Sequence, residues 1–254
     1  MRKPDLLLFY AGPGWGKTSL FSHLSNPLWL KCKDEGIETL IQNNQVRDNI
    51  DRITVDSWID AMGILKNLAA SSVAYTHVVL DVLNGLEWHC HQYTTQVDFE
   101  GKFVDGFMAF HKGYETALQY WAELFPLFDK LRDKGIGIVG LCHAGIGKVP
   151  NPEGIPYTKN APDMNDKTWG FTQKQTDLIL YGRYKVKTMD QLTIGKKAPS
   201  KTKAVGGNER EIVTVSSASI DAKHRHGLPN VIDISNNSPT EAWTDFINAF
   251  QSKE

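Results

Sequence analysis

Ala11-Gly12-Pro13-Gly14-Trp15-Gly16-Lys17-Thr18, continued by Ser19, decides the reading of this chain of 254 residues. The stretch follows Leu6-Leu7-Leu8-Phe9-Tyr10 directly. That run is apolar without alternation, which predicts a strand buried on both faces of a parallel sheet. Lys17 to Leu24 has helical character, and Asn26-Pro27 stops it. A strand, a glycine-rich turn and a helix that opens on Gly-Lys-Thr fit the pattern Gly-x-x-x-x-Gly-Lys-Ser/Thr. Glycines let successive backbone N–H groups turn toward phosphate oxygens, and a helix start favours negative charge. Gly12, Pro13, Gly14, Trp15, Gly16, Lys17, Thr18 and Ser19 are therefore expected to hold the phosphates of a nucleotide. Lys17 would reach the β- and γ-phosphates and the Thr18 hydroxyl would ligate Mg²⁺, so ATP and Mg²⁺ are the expected cofactors. Ala11 stands where the pattern has glycine, at a strand end where a methyl group is tolerable. Trp15 fills a position that needs no glycine; its ring either covers the site or packs on a neighbour.

Outward from the turn, strand and helix patterns alternate. Strands are predicted at Leu28–Cys32, Arg52–Val55, His77–Asp81 and Ile136–His143, with an amphipathic helix from Ser57 to Ala70 capped by Asp56 or Ser57. Leu83 to Lys134 reads as mostly helical, broken near Phe99–Gly106. Such alternation implies right-handed crossovers and a mostly parallel sheet flanked by helices. Residues 144–170 are rich in Gly, Pro, Asn, Lys and Asp and show no period, which predicts a long functional or mobile loop. Asp177–Tyr184, Arg210–Val215 and Ser219–Ala222 read as strands that extend the sheet, and the Lys-rich segment at about 190–208 as a flexible hairpin or loop. A last helix, Pro239 to Gln251, has Ser238 as its cap. One domain over 1–254 accommodates all of this.

Composition narrows the rest. The formal net charge is −1, so no global basic field points to a nucleic acid, although a local one is compatible. Cys32, Cys90 and Cys142 read as buried free thiols of a reducing cytoplasm. No signal-peptide pattern and no apolar stretch of membrane-spanning length occur, so a cytoplasmic protein without a membrane partner is expected.

Asp81 closes its strand, where a carboxylate holds Mg²⁺ through a water; a helix N-cap is the rival role. Asp34-Glu35-Gly36 follows the second strand, and Glu35 is either a general base for the attacking water or part of a solvated acidic turn. His143 ends the strand after Asp81, at the sheet edge where ligands bind, and either senses the γ-phosphate or is structural. Lys223 and Arg225 alternate within Asp221–Pro229. In an extended segment they share a face and would reach a γ-phosphate in the same chain or across a subunit interface; a solvated loop is the plain alternative. Lys196, Lys197, Lys201 and Lys203 form a second basic cluster, of the kind that tracks a nucleic-acid backbone or simply meets solvent. His89-Cys90-His91 sits on a predicted helix, where neighbours point apart, and is not read as a metal site.

The order of these pieces resembles the RecA/RadA-like ATPase core, and more closely the small phage ATPases of the Sak type, which are single-strand-annealing recombinases. The resemblance runs through Ala11–Thr18, Thr76–Asp81 with Asn84-Gly85-Leu86-Glu87, Asp133–Val139, His143-Ala144, Pro152-Glu153-Gly154, Ala204–Arg210 and Asp221–Pro229. It implies an α/β fold of the RecA-like (ASCE) P-loop NTPase class, with DNA-stimulated, Mg²⁺-dependent ATP hydrolysis. It implies that Glu35 activates water, that His143 couples nucleotide state to DNA-binding loops, and that residues 145–170 bind single-stranded DNA. Lys223 and Arg225 would reach a neighbouring subunit's nucleotide in a ring or filament. His143 replaces the glutamine usual in RecA itself. Tyr157 and Trp169 are candidates for stacking on bases. A single-stranded-DNA-binding protein is a further expected partner. A motor of the DnaB helicase type and a nucleotide switch with little turnover are the competing functions. A metabolic small-molecule kinase is weaker, because no arginine-rich lid follows the loop.

Overall fold

In a computed structural model, residues 3–32, 37–185, 187–190, 202–205, 207–235 and 238–251 are described. The apolar run becomes β1 (Leu6–Ala11), and the glycine turn leads into the short α1 (Lys17–Phe21). Then come β2 (Pro27–Lys31), α2 (Ile37–Gln42), β3 (Asp51–Thr54), α3 (Trp58–Ala70), β4 (His77–Asp81) and α4 (Leu83–Asp98). A π-helical turn (Phe103–Phe107) and a 3-10 turn (Ala109–His111) precede α5 (Lys112–Ala122) and α6 (Leu124–Asp133). The chain continues through β5 (Gly137–Val149), β6 (Tyr157–Pro162), α7 (Asp166–Gln175) and β7 (Leu178–Tyr184). It ends with β8 (Lys187–Asp190), β9 (Thr202–Val205), β10 (Arg210–Val213), β11 (Val231–Asp233) and α8 (Pro239–Gln251).

Among the described residues the central sheet has nine strands in the order β11-β10-β7-β1-β5-β4-β2-β3, with β6 paired to the outer half of β5. From β7 to β3 every pairing is parallel, and β10 and β11 close one edge antiparallel. This is the expected mostly parallel sheet flanked by helices, an α/β P-loop NTPase core. Side chains of β1 alternate between the two faces. Leu6, Leu8 and Tyr10 join one cluster with Leu30, Leu80, Ile138 and apolar residues of α3 to α6. Phe9 and Ala11 join the other with Trp29, Val79, Leu141, Leu20 of α1 and Phe246 of α8. The alternation explains why β1 shows no polar position: both faces are covered by helices. Ser57 caps α3 by accepting from Asp60 N at 3.1 Å, and Ser238 does the same for Glu241 N at 3.1 Å. The three cysteines are free and buried. No helix among the described residues is long and apolar enough to cross a membrane.

Two expectations change. Residues 145–170 are not a loop. They hold the outer half of β5, its antiparallel partner β6 and the first turn of α7. This ribbon stands out from the core, so its strands carry glycines and polar residues instead of the apolar run that signals a buried strand. Ser219–Ala222 is not a strand; it makes isolated bridges beside β6, with Asn160 N donating to Ser219 O at 2.8 Å and Asp221 N to Asn160 O at 3.1 Å. The sheet edge is closed instead by β11, too short to show a period. The hairpin expected at about 190–208 is bounded by β8 and β9, and Lys196, Lys197 and Lys201 lie outside the described residues.

Trp15 is fully buried, with its ring centroid 5.0 Å from that of Phe9. Room for the indole comes from Gly182 of β7, where a Cβ would stand 2.7 Å from both the Trp15 and the Phe9 rings. Rings packed on backbone cannot retreat, so Gly182→Ala is expected to destabilise the fold by about 1–3 kcal/mol. Urea unfolding of the variant measures it, and an unchanged midpoint would refute the packing argument.

Candidate functional site

Parallel pairing brings the ends of β1 and β4 to the middle of β5; His143 does not end its strand as expected, because β5 runs on to Val149 in its pairing with β6. Ala11 lies opposite His143 in the β1–β5 register, and Asp81 lies opposite Leu141 in the β4–β5 register. The turn after β1 crosses this place with Gly14 at φ 73° and Gly16 at φ 103°. Both values fall in the left-handed region, which explains glycine at these two positions. The turn delivers Lys17, only 7 % exposed, to the sheet edge. Its Nζ lies 3.1 Å from Ala11 O, 3.4 Å from Gly12 O and 3.3 Å from His143 Nδ1. An ammonium has donors only, so His143 Nδ1 accepts and the ring proton sits on Nε2. His143 is held from behind, its backbone N donating to Asn84 Oδ1 at 3.3 Å.

Asp81 is 1 % exposed. Its Oδ2 accepts from Thr18 Oγ1 at 3.0 Å and from Trp29 Nε1 at 3.1 Å. The cap position of α4 is Val82 with no side-chain cap bond, which removes the capping role for Asp81. A hydroxyl and a carboxylate in contact are hard oxygen donors, few in number. That suits Mg²⁺, which keeps most of its shell for water and phosphate. Thr18 and Asp81 are the residues that would hold it, and the ion would neutralise charge on the β- and γ-phosphates.

These groups floor a cleft of about 500 Å³, with the glycine turn and Ser19 on one side and Thr39, Leu40 and Gln45 on the other. Positive charge on Lys17, inward-turned backbone and the Thr18–Asp81 pair form a binding site for a polyphosphate. Residues 3–226 match the family model described as an AAA domain. The chain belongs to the AAA domain family. A search of curated proteins found no match. Family and geometry agree on a nucleotide-binding, ATPase-like P-loop protein.

In this AAA domain Lys223 and Arg225 are not among the residues that line the phosphate cleft. Glu35 lies outside the described residues. Lys223 is turned away within its own chain, its Nζ donating to Gln173 O at 2.6 Å and its backbone bridged to Ile179. Ile179 pairs with Leu8, three residues and roughly 10 Å below the level of Ala11. Arg225 is exposed. Neither is assembled with the phosphate loop of the same chain. Trp15 does not cover the cleft; it packs inward. Trp169 is buried, with Nε1 donating to Asp221 Oδ2 at 3.0 Å, so it does not present a ring for stacking. Cys90 is buried against α5, and no group of three metal-ligating side chains occurs among the described residues.

Sequence reasoning missed Trp29, Asn84 and the side of the cleft at Thr39–Gln45. Trp29 and Asn84 are polar handles in elements read only for their apolar pattern. The 37–45 stretch, around a helix of six residues, has no period to find. A further buried acid is Glu87 of α4, whose carboxylate accepts from Asn165 N at 3.1 and 3.2 Å. Burial, reinforced by nearby Asp163, pushes its pKa up to about 7 against the hydrogen bonds from Thr168 and Asn165. Burial holds His91 down at about 4, so the imidazole 3.9 Å from Glu87 is neutral at pH 7 and the contact is not an ion pair.

Two predictions follow from this site. Lys17→Ala should weaken ATP binding roughly 10- to 100-fold, the loss of one or more charge-assisted bonds, as read by calorimetry. The second concerns pH. A raised carboxylate pKa means that the folded state holds a proton the unfolded state has lost between pH 4.5 and about 7, so Glu87 lowers stability as pH rises through that window. His91, with its lowered pKa, acts in the opposite direction between about 4 and 6.5. Glu87→Gln removes the first slope only. The variant's stability relative to wild type should therefore improve by up to about 3 kcal/mol from pH 4.5 to 7. Urea unfolding across that range checks it, and a pH-independent difference would contradict it.

Proposed function

We propose that this chain is an ATP-hydrolysing recombination protein of the phage type, which binds single-stranded DNA and promotes annealing or homologous pairing. The supporting observation is the continuity of β5. One strand runs from the buried sheet through His143, beside Lys17, and out to Val149 in the ribbon with β6. A change at the γ-phosphate has a direct covalent route to that ribbon. The ribbon exposes Lys148, Ile146, Ile155 and Tyr157. The register puts Ile146 and Lys148 on one face of the ribbon and Tyr157 on the other, so a single strand that wraps the ribbon would meet a cation for its backbone and an exposed ring for an unstacked base.

Mg²⁺ is held by Thr18 and Asp81 in this reading, and Glu35 activates the attacking water. Lys223 and Arg225 act on the nucleotide of an adjacent copy in a ring or filament; Lys223 is held by Gln173 O in its own chain and neither lines its own phosphate cleft. A single-stranded-DNA-binding protein fits as the partner that presents the strand.

ATP turnover with and without single-stranded DNA, in Mg²⁺ and with Lys17→Ala as the blank, tests the proposal. DNA should stimulate turnover, and EDTA should abolish it. Lys148→Ala with Tyr157→Ala should weaken DNA binding about tenfold or more and lower the salt slope by about one, with basal turnover kept. Unchanged DNA binding in the double variant would remove the ribbon from the proposal. Turnover indifferent to DNA would favour a nucleotide switch, and directional unwinding of a fork would favour a DnaB-type motor.

A further inference from the structure

We infer that the nucleoside end of the bound nucleotide lies in a second cleft, on the outer side of the phosphate loop, with its base against the ring of Tyr184. The inference deepens the nucleotide-binding reading and rests on it. The cleft has a volume of about 630 Å³, in the range of small-molecule sites. It shares Gly14, Gly16, Ser19 and Gln45 with the phosphate cleft. Its far wall is Tyr184 at the end of β7, and Asn208 and Arg210 at the start of β10.

The direction of the ligand follows from α1. Thr18 faces Asp81, and Ser19, about 100° further round the helix, lines both clefts. A chain of phosphates that begins at Lys17 and Asp81 leaves past Ser19 into the second cleft. Another cleft that adjoins, beside His23 and Arg47, shares Gln45 alone with the phosphate cleft and no residue of the glycine turn. It offers no continuous path along the loop.

The outer wall is built to hold both the loop and a flat ring. Tyr184 Oη donates to Gly14 O at 3.1 Å, and Arg210 Nη1 donates to Trp15 O at 3.0 Å. The Arg210 guanidinium lies 5.6 Å over the Trp15 ring. A Cβ on Gly16 would stand 2.8 Å from the same Arg210. With its hydroxyl anchored, the Tyr184 ring is 40 % exposed at the cleft, a preorganised surface on which a base stacks. The exposed Asn208 amide supplies both a donor and an acceptor for the base edge or the ribose.

The test compares two ligands on the full chain in Mg²⁺: ATP, and inorganic tripolyphosphate, which has phosphates but no nucleoside. Tyr184→Ala should lose about tenfold in ATP affinity and no more than about twofold, the worth of the lost bond to Gly14, in tripolyphosphate affinity; the excess is the value of one stacked base. Tyr184→Phe, which keeps the ring and drops only the bond to Gly14, should stay within about twofold for ATP. Asn208→Ala, at an exposed position that endangers no packing, should show the same ATP-only loss to a smaller degree. Equal losses for both ligands in Tyr184→Ala would make the tyrosine a brace of the loop and overturn the inference, as would no loss for either. Wild-type protein that binds neither ligand would overturn the nucleotide reading itself, and this inference with it.

Discussion

Because β5 pairs in parallel with β1 on one side and β4 on the other, the ends of those two strands meet the middle of β5 and bring a phosphate loop, a histidine and an acid together. The register is fixed by backbone hydrogen bonds deep in the sheet, and a slip by one residue would turn alternate side chains to the wrong face. Lys17 and Asp81 are both nearly buried, and neither charge is left to the apolar interior. Lys17 spends its donors on loop carbonyls and His143, while Asp81 accepts from Thr18 and Trp29. Such a site is set before any ligand arrives, which keeps the reorganisation cost of binding small.

The loop is stiffened from the opposite side as well. Trp15 reaches down between Phe9 and the bare backbone of Gly182, while Arg210 and Tyr184 hold the carbonyls of Trp15 and Gly14. The antiparallel edge formed by β10 is thus a second support of the phosphate loop. Tyr184 and Arg210 come from stretches that the one-dimensional reading took as strands extending the sheet, without a role at the loop.

Between the nucleotide edge and the ribbon, contacts are continuous. Asp163 N donates to His143 O at 2.8 Å, just where β6 ends, and Glu87 receives Asn165 N at the start of α7. Tyr10 Oη donates to Asp221 O at 2.6 Å, and Asp221 also receives Lys159 of the ribbon at 2.8 Å.

The sequence by itself determined the phosphate loop, the buried parallel strands and the acid at the end of β4. Each is a local property: glycine where φ is positive, an apolar run where both faces are covered, a carboxylate at a strand terminus. It ended β5 at His143, six residues short of Val149, and left open whether that histidine was structural or functional. Tertiary structure brought it to the phosphate loop by pairing Ala11 with His143 across strands 132 residues apart, so that Nδ1 meets Lys17. It alone decided that 145–170 is a ribbon and a helix, that Trp169 is buried while Tyr157 is exposed, and that Lys223 turns away from its own loop. Tyr184 and Arg210 lie 170 and 195 residues from the carbonyls they hold. No periodicity in one dimension registers contacts of that span, because they are set by which strands become neighbours and not by what precedes or follows a residue in the chain.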